Sequence, residues 1–125
     1  MGQVLIDTCI MIDYSRGRVA ARDFLTQLTA DPLISVMTVA ELFGGVREGP
    51  ERTWLETWIQ DVAVLPVTQE IARLGGLYWR DHRSRHGTSV IDALIAATAR
   101  VHGARLVTRN TRHFPMLDDL LVPYQ

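Results

Sequence analysis

VLIDTCIMID, residues 4 to 13, is an aliphatic run that closes on an acid a few residues into the chain. Val4, Leu5 and Ile6 read as a short strand of the parallel type, covered on both faces, where polar residues are normally excluded. Asp7 breaks that pattern at the strand's end. In an open parallel sheet the carboxyl ends of the strands face the crevice where ligands bind, so an acid there is a helix cap or part of a site.

Outward from this stretch, strand and helix signals alternate. Cys9 to Ser15 gives a helical turn or two, and Arg18 to Thr29 carries Val19, Phe24, Leu25 and Leu28 at helical spacing before Asp31 and Pro32 stop it. Leu33 to Val36 reads as a second strand, Thr38 to Glu48 as a helix, and Pro50 to Asp61 as another with proline in its first turn. Val62 to Val67 is a third strand candidate. Thr68 to Arg85 and Ser89 to His102 read as helices, the first weakened by Gly75 and Gly76. Arg105 to Thr108 is a fourth strand, and Leu120 to Tyr124 is a candidate fifth. The alternation predicts an α/β fold: a parallel sheet of four to five strands with helices on both faces.

The 125 residues fit one domain, residues 1 to 125, without linker, repeat or low-complexity tract. No apolar run is long enough to span a bilayer, and the start lacks a secretory signal pattern, so the expected location is cytoplasmic. The lone Cys9 agrees with a reducing compartment. A net charge of -1 argues against a broadly cationic nucleic-acid binder, although it can hide a local patch. All 13 basic residues are arginine. The absence of lysine argues against P-loop, receiver-type and haloacid-dehalogenase-type sites, which place a lysine near their phosphate or acid.

Three acids occupy equivalent places in this scheme. Asp7 follows the first strand, Glu41 lies in SVMTVAEL after the second, and Asp92 opens the helix in TSVIDALIAATA. Each has a structural explanation: Asp7 as an N-cap, and Thr38-x-x-Glu41 and Ser89-x-x-Asp92 as capping boxes. The same fold also lets the three carboxylates converge at one sheet edge. Helix N-termini would offset part of their repulsion, and at least one pKa should rise unless a cation joins them. Oxygen donors of this kind suit Mg²⁺ or Mn²⁺.

The ordered segments LIDT, SVMTVAELFGGV and IDALIAATARVHGARLVTRNTRHF resemble the PIN domains, and within them the small toxins of VapC type. The resemblance implies a three-layer α/β/α fold and a metal-dependent endoribonuclease acting as the toxin of a toxin–antitoxin pair. It implies Asp7, Glu41 and Asp92 as the acidic metal-binding residues, with Thr8 and Thr108 positioning waters or an acid. It also implies a homodimer neutralised by a cognate VapB-type antitoxin. Family members often carry a fourth acid where this chain has Asn110 and His113 in TRNTRHF, which implies one well-held metal and a weaker second. Asn110 can still coordinate through its carbonyl oxygen. Asp118 and Asp119 read as solvated loop acids.

Such an ion would polarise the scissile phosphate and activate water for in-line attack, a second ion lying about 3.5–4 Å away. The RNA 2′-hydroxyl is then not needed for cleavage, and restriction to RNA must come from binding. Arg109 and Arg112 flank Asn110 as candidate phosphate contacts, and WRDHRSRHG adds Arg80, Arg83 and Arg85, a cluster that equally suits a solvated helix end. His82 and His86 have zinc-helix spacing without the accompanying glutamate and read as a surface pair. Cys9 lacks a phosphatase-loop context and reads as packed beneath the first helix. Trp54, Leu55, Trp58 and Ile59 form a stripe that faces the core or a partner groove. The alternative reading of the whole chain is a catalytically silent PIN-like module that binds RNA or protein. A DNA-directed nuclease on the same site is a third.

Overall fold

The computed structural model describes residues 2–125. Four short strands, β1 (Val4–Ile6), β2 (Leu33–Ser35), β3 (Ala63–Leu65) and β4 (Arg105–Val107), form a parallel sheet in the order β3-β2-β1-β4. The helices are α1 (Thr8–Ser15), α2 (Val19–Gln27), α3 (Val36–Gly44), α4 (Pro50–Trp58), α5 (Gln69–His86) and α6 (Val90–His102), with a 3₁₀ turn at Thr111–His113. Each strand is long enough for only one alternation of side chains, and that alternation builds the three layers. Leu5 pairs in register with Leu33 and Leu106, and this row lies in one half-core with Ile95, Ala96 and Ala99 of α6 and with Phe114. Ile6, Ile34 and Val107 point the other way, into a half-core shared with Ile10, Met11, Leu42 and Leu55 of α1, α3 and α4.

The expected α/β sandwich is therefore present, with two differences in its elements. The fifth strand shrinks to one parallel bridge between Val107 and Leu121, where Leu121 donates to the Leu106 carbonyl and Thr108 to that of Leu121. Pro123 and the side-chain anchoring of Tyr124 described below take the last residues away from a ladder. Gly75 and Gly76 do not interrupt α5, which is continuous. Gly75 is buried where α5 crosses α6, and a Cβ there would stand 2.7 Å from Leu94 Cδ2 and 3.2 Å from Leu94 Cα. A glycine that costs helix stability is thus what lets the two helices approach.

The chain runs from β1 outward through β2 to β3, then returns to the other side of β1 as β4. The topological switch point falls between β1 and β4, and the carboxyl ends of those two strands, Asp7 and Thr108, form the crevice where ligands bind in such sheets. The two glycines give a paired test of the packing argument. By chemical denaturation, Gly76→Ala, which meets nothing within 4 Å, should stabilise the protein by about 0.5–1 kcal/mol. Gly75→Ala should instead destabilise it by about 1 kcal/mol or more, because overpacking outweighs the helix propensity gained.

Candidate active site at the carboxyl edge of the sheet

Asp7 ends β1 and caps α1 in one step. Its backbone is extended and its Oδ1 accepts the Thr8 N–H at 2.8 Å. Its Oδ2 accepts the Thr108 hydroxyl at 2.7 Å and the Cys9 thiol at 3.3 Å. The residue is 3% exposed. Burial pushes its pKa up from the ordinary 3.8; the Thr108, Cys9 and Thr8 donors counter this, and the charge of Asp92 adds to the rise. Every donor is neutral, so the carboxylate sits out of water without a cation of the protein's own. Three of its roughly four acceptor positions are taken, which fixes the group and leaves a lone pair free.

Glu41 reaches the same edge from α3. Thr8 donates its hydroxyl to Glu41 Oε1 at 2.6 Å, and the buried Thr38 hydroxyl lies 2.9 Å from that of Thr8. Because Thr8 has one proton and gives it to Glu41, Thr38 is the donor of the second bond. The Thr38-x-x-Glu41 capping box does not form: Ser35 caps α3 through Met37 N, since the helix begins one turn earlier than its apolar pattern indicated, and Glu41 lies well inside it. Its position is therefore set by Thr8 rather than by a cap.

Asp92 fills the expected cap, and its charge also reaches Asp7. Ser89 N donates to Asp92 Oδ2 at 3.2 Å and Asp92 N to Ser89 Oγ at 3.0 Å, a complete capping box at the start of α6. The His113 Nδ1 lies 3.4 Å from the same Oδ2, and Thr88 Oγ1 donates to the His113 carbonyl at 2.9 Å. Asn110 N donates to Thr108 Oγ1 at 2.9 Å, while its side chain belongs to an exposed residue at the start of the 3₁₀ turn. Asp7, Thr8, Glu41, Asp92, Thr108 and Asn110 thus gather along one edge, around the switch point. Among the described residues, no three His, Cys, Asp or Glu side chains stand close enough to share a single ion as they are placed. The donor chemistry nevertheless fits a hard dication: the acids are all-oxygen donors, and the most buried of them lacks a cation. A cavity of about 500 Å³ lies at the opposite edge, beside Gln3, Gly103 and Arg105, away from these acids.

A model of the PIN domain matches residues 4–120. The chain belongs to the PIN domain family. It is 45% identical over 124 residues to the ribonuclease VapC19 of Mycobacterium tuberculosis, covering 96% of this chain and 98% of that protein. It is 42% identical over 126 residues to the ribonuclease VapC10 of the same organism, covering 97% and 92%. Among solved structures, a toxin-antitoxin complex from Klebsiella pneumoniae aligns with a TM-score of 0.85 at 27% identity, over 98% of this chain and 99% of that one.

Two groups in this PIN domain escaped the sequence reading or were given other roles by it. Cys9 does not simply pack beneath α1; its half-buried thiol donates to Asp7, and burial together with the Asp7 charge pushes its pKa up to about 11, so it is a protonated donor at neutral pH. Asp13, the acid that closes VLIDTCIMID, binds Arg109 at 3.0 Å, Arg18 at 3.3 Å and the Tyr124 hydroxyl at 2.8 Å. Arg109 is therefore engaged by the protein itself, its guanidinium also 5.8 Å from the Tyr124 ring centroid, and is a poorer phosphate contact than Arg112. Arg112 is exposed and forms no ion pair among the described residues.

The Asp7 environment has a measurable consequence for stability. Because folding raises its pKa, the folded chain binds the proton more tightly than the unfolded chain, and stability falls as pH rises above 3.8 until the loss is complete above the raised value. In the presence of a chelator, Asp7→Asn should raise the melting temperature at pH 7. The gain should shrink as pH falls and vanish near the ordinary value of 3.8, which thermal melts across a pH series will read directly.

Proposed function

We propose that this PIN domain is a metal-dependent endoribonuclease, the toxin of a toxin–antitoxin pair, with Asp7, Glu41 and Asp92 holding Mg²⁺ or Mn²⁺. The observation that carries the reading is the buried Asp7 carboxylate, surrounded by neutral donors at the switch point, with Glu41 and Asp92 on either side of it. The relatives' names, ribonucleases VapC19 and VapC10, support RNA as the substrate, and the Klebsiella toxin-antitoxin complex supports a VapB-type antitoxin as partner. A homodimer in the cytoplasm belongs to the same reading; no described helix is long and apolar enough to cross a membrane.

Held by Asp7, Glu41 and Asp92, such an ion would supply Lewis acidity for the scissile phosphate and would make water a competent nucleophile at neutral pH. The protein's part is placement. Thr8, itself held by Thr38, anchors one Glu41 oxygen, Thr108 and Cys9 hold Asp7, and the Ser89 box holds Asp92. These supports anchor each carboxylate at the same edge, and holding a shared ion still requires the three to draw closer together. Asn110, whose backbone is fixed on Thr108, offers its side-chain amide to the substrate phosphate or to the ion's hydration shell. Arg112, two residues further on in the 3₁₀ turn, offers a phosphate contact.

The reading predicts that purified protein cleaves structured RNAs with Mn²⁺ or Mg²⁺ and that EDTA abolishes cleavage. Asp7→Asn and Asp92→Asn, both folded by circular dichroism, should lose at least about a hundredfold in rate and lose Mn²⁺ binding by calorimetry. Arg112→Ala should lower cleavage several-fold with metal binding intact. Folded wild-type protein that binds no Mn²⁺ would leave Asp7 and Asp92 as helix caps and Glu41 as a surface acid of α3, and would favour the catalytically silent module.

A further inference from the structure

The last two turns of α5 carry flat and cationic side chains that the acid site does not use. Ile71 and Gly75 are buried and Tyr78 packs against the core, which defines the inward line of α5. That line continues through His82 and on to Arg85 and His86 at the three- and four-residue spacing of one helix face. Beneath it, however, α6 has run out. The helices cross at Gly75, against Ala93 and Leu94, so that α6 extends only about 6 Å back to its start at Val90 while α5 runs on about 16 Å to His86. The end of α5 therefore projects past the N-terminus of α6, the terminus that carries Asp92.

The groups on this projection are arranged as planes. The Arg83 guanidinium lies 4.4 Å from the Trp79 ring centroid, and the His82 and His86 rings stand 5.6 Å apart. Trp79 is 36% exposed, and both histidines are half-buried. Arg80 spends its charge on Asp81 at 2.8 Å, but Arg83 and Arg85 form no ion pair among the described residues. The projection is also tied to the site: Gly87, in the left-handed conformation at φ 66°, turns the chain into Thr88, which bonds to the His113 carbonyl beside Asp92.

We propose that the end of α5 is a stacking subsite for unpaired RNA bases flanking the scissile phosphate, built from Trp79 and Arg83 with His82 and His86, and with Arg85 for the backbone. The proposal rests on the RNA-cleaving reading above and names where that substrate is held. Single-stranded RNA is the occupant that this chemistry fits. Planar rings and guanidinium faces stack bases of any sequence, and unpaired arginines meet phosphates; Trp79 is the one exposed large apolar side chain on this stretch of α5, short of the contiguous apolar patch that a stable protein interface buries. The acids need such help, because alone they repel a polyanion.

The test measures binding by fluorescence anisotropy in an Asp7→Asn background, which prevents cleavage. The probes are a labelled mixed-sequence single-stranded RNA of twenty nucleotides and an abasic ribose-phosphate oligomer of equal length. Trp79→Ala should weaken RNA binding by about fivefold or more and leave the abasic probe unaffected, and Trp79→Phe should restore most of the loss. Arg83→Ala should weaken both probes and reduce the slope of log affinity against log salt by about 0.7. Equal RNA affinity for wild-type and both alanine variants would overturn the subsite while leaving the cleavage reading intact. So would loss of a dimer by sedimentation in place of loss of RNA affinity, which would assign the face to a second copy of the chain. Stacking-dependent RNA binding by a protein that cleaves no RNA under any metal would uphold the subsite and remove the nuclease reading.

Discussion

The Thr108 hydroxyl donates to Asp7 across the seam between β1 and β4, and this bond joins the carboxyl ends of two strands that lie far apart in the chain. Folding buries the Asp7 carboxylate to make that bond, and the neutral donors around it do not fully replace the water it loses. The other features of the edge follow from this unpaid charge. Asp7 can remain there because the start of α1 supplies the Thr8 N–H and because Cys9 supplies a protonated thiol. The same Thr8 then turns its hydroxyl to Glu41, so one residue couples the buried acid to the exposed one.

The sheet sets where such a residue can stand. With three residues per strand, the whole core depends on two rows of aliphatic side chains, Leu33-Leu5-Leu106 on one face and Ile34-Ile6-Val107 on the other. A one-residue slip of β1 would exchange these rows and carry Asp7 away from Thr108. Phe114, fully buried against the first row, holds the chain just beyond the 3₁₀ turn and so fixes His113 next to Asp92. Site and core are specified by the same register.

What the amino-acid sequence displayed was the part encoded locally. The strands at Val4, Leu33 and Arg105, the proline start of α4 and the Ser89–Asp92 box each depend on neighbours within a few residues, and each appeared where its pattern placed it. The three acids were legible as a set because each follows a strand or opens a helix at the same edge. Thr38 was misread as a cap because a hydroxyl three residues before an acid carries no mark of the helix start one turn earlier. The contacts of Asp13 were invisible for a different reason. Arg109 and Tyr124 lie 96 and 111 residues away, and no local periodicity signals a pairing of that span. The glycines of α5 misled in the same way, since the need for Gly75 comes from α6.

The distribution of charge qualifies the meaning of a net charge of -1. Arg18 and Arg109 are both spent on Asp13, Arg105 on Asp119, and Arg47 and Arg52 on Glu51 and Glu48 around the start of α4, where exposed pairs contribute little stability. Subtracting these internal pairs leaves an edge where Asp7, Glu41 and Asp92 face solvent or lie just beneath it, flanked by Arg83, Arg85 and Arg112. On the proposed reading, such an edge would repel RNA until cations neutralise the acids and would attract it once they have. In the proposed function, metal and RNA are therefore thermodynamically linked, each raising the affinity for the other by the same factor. The placement of unpaired arginines around the acids, rather than the total charge, decides whether a polyanion can approach this sheet edge.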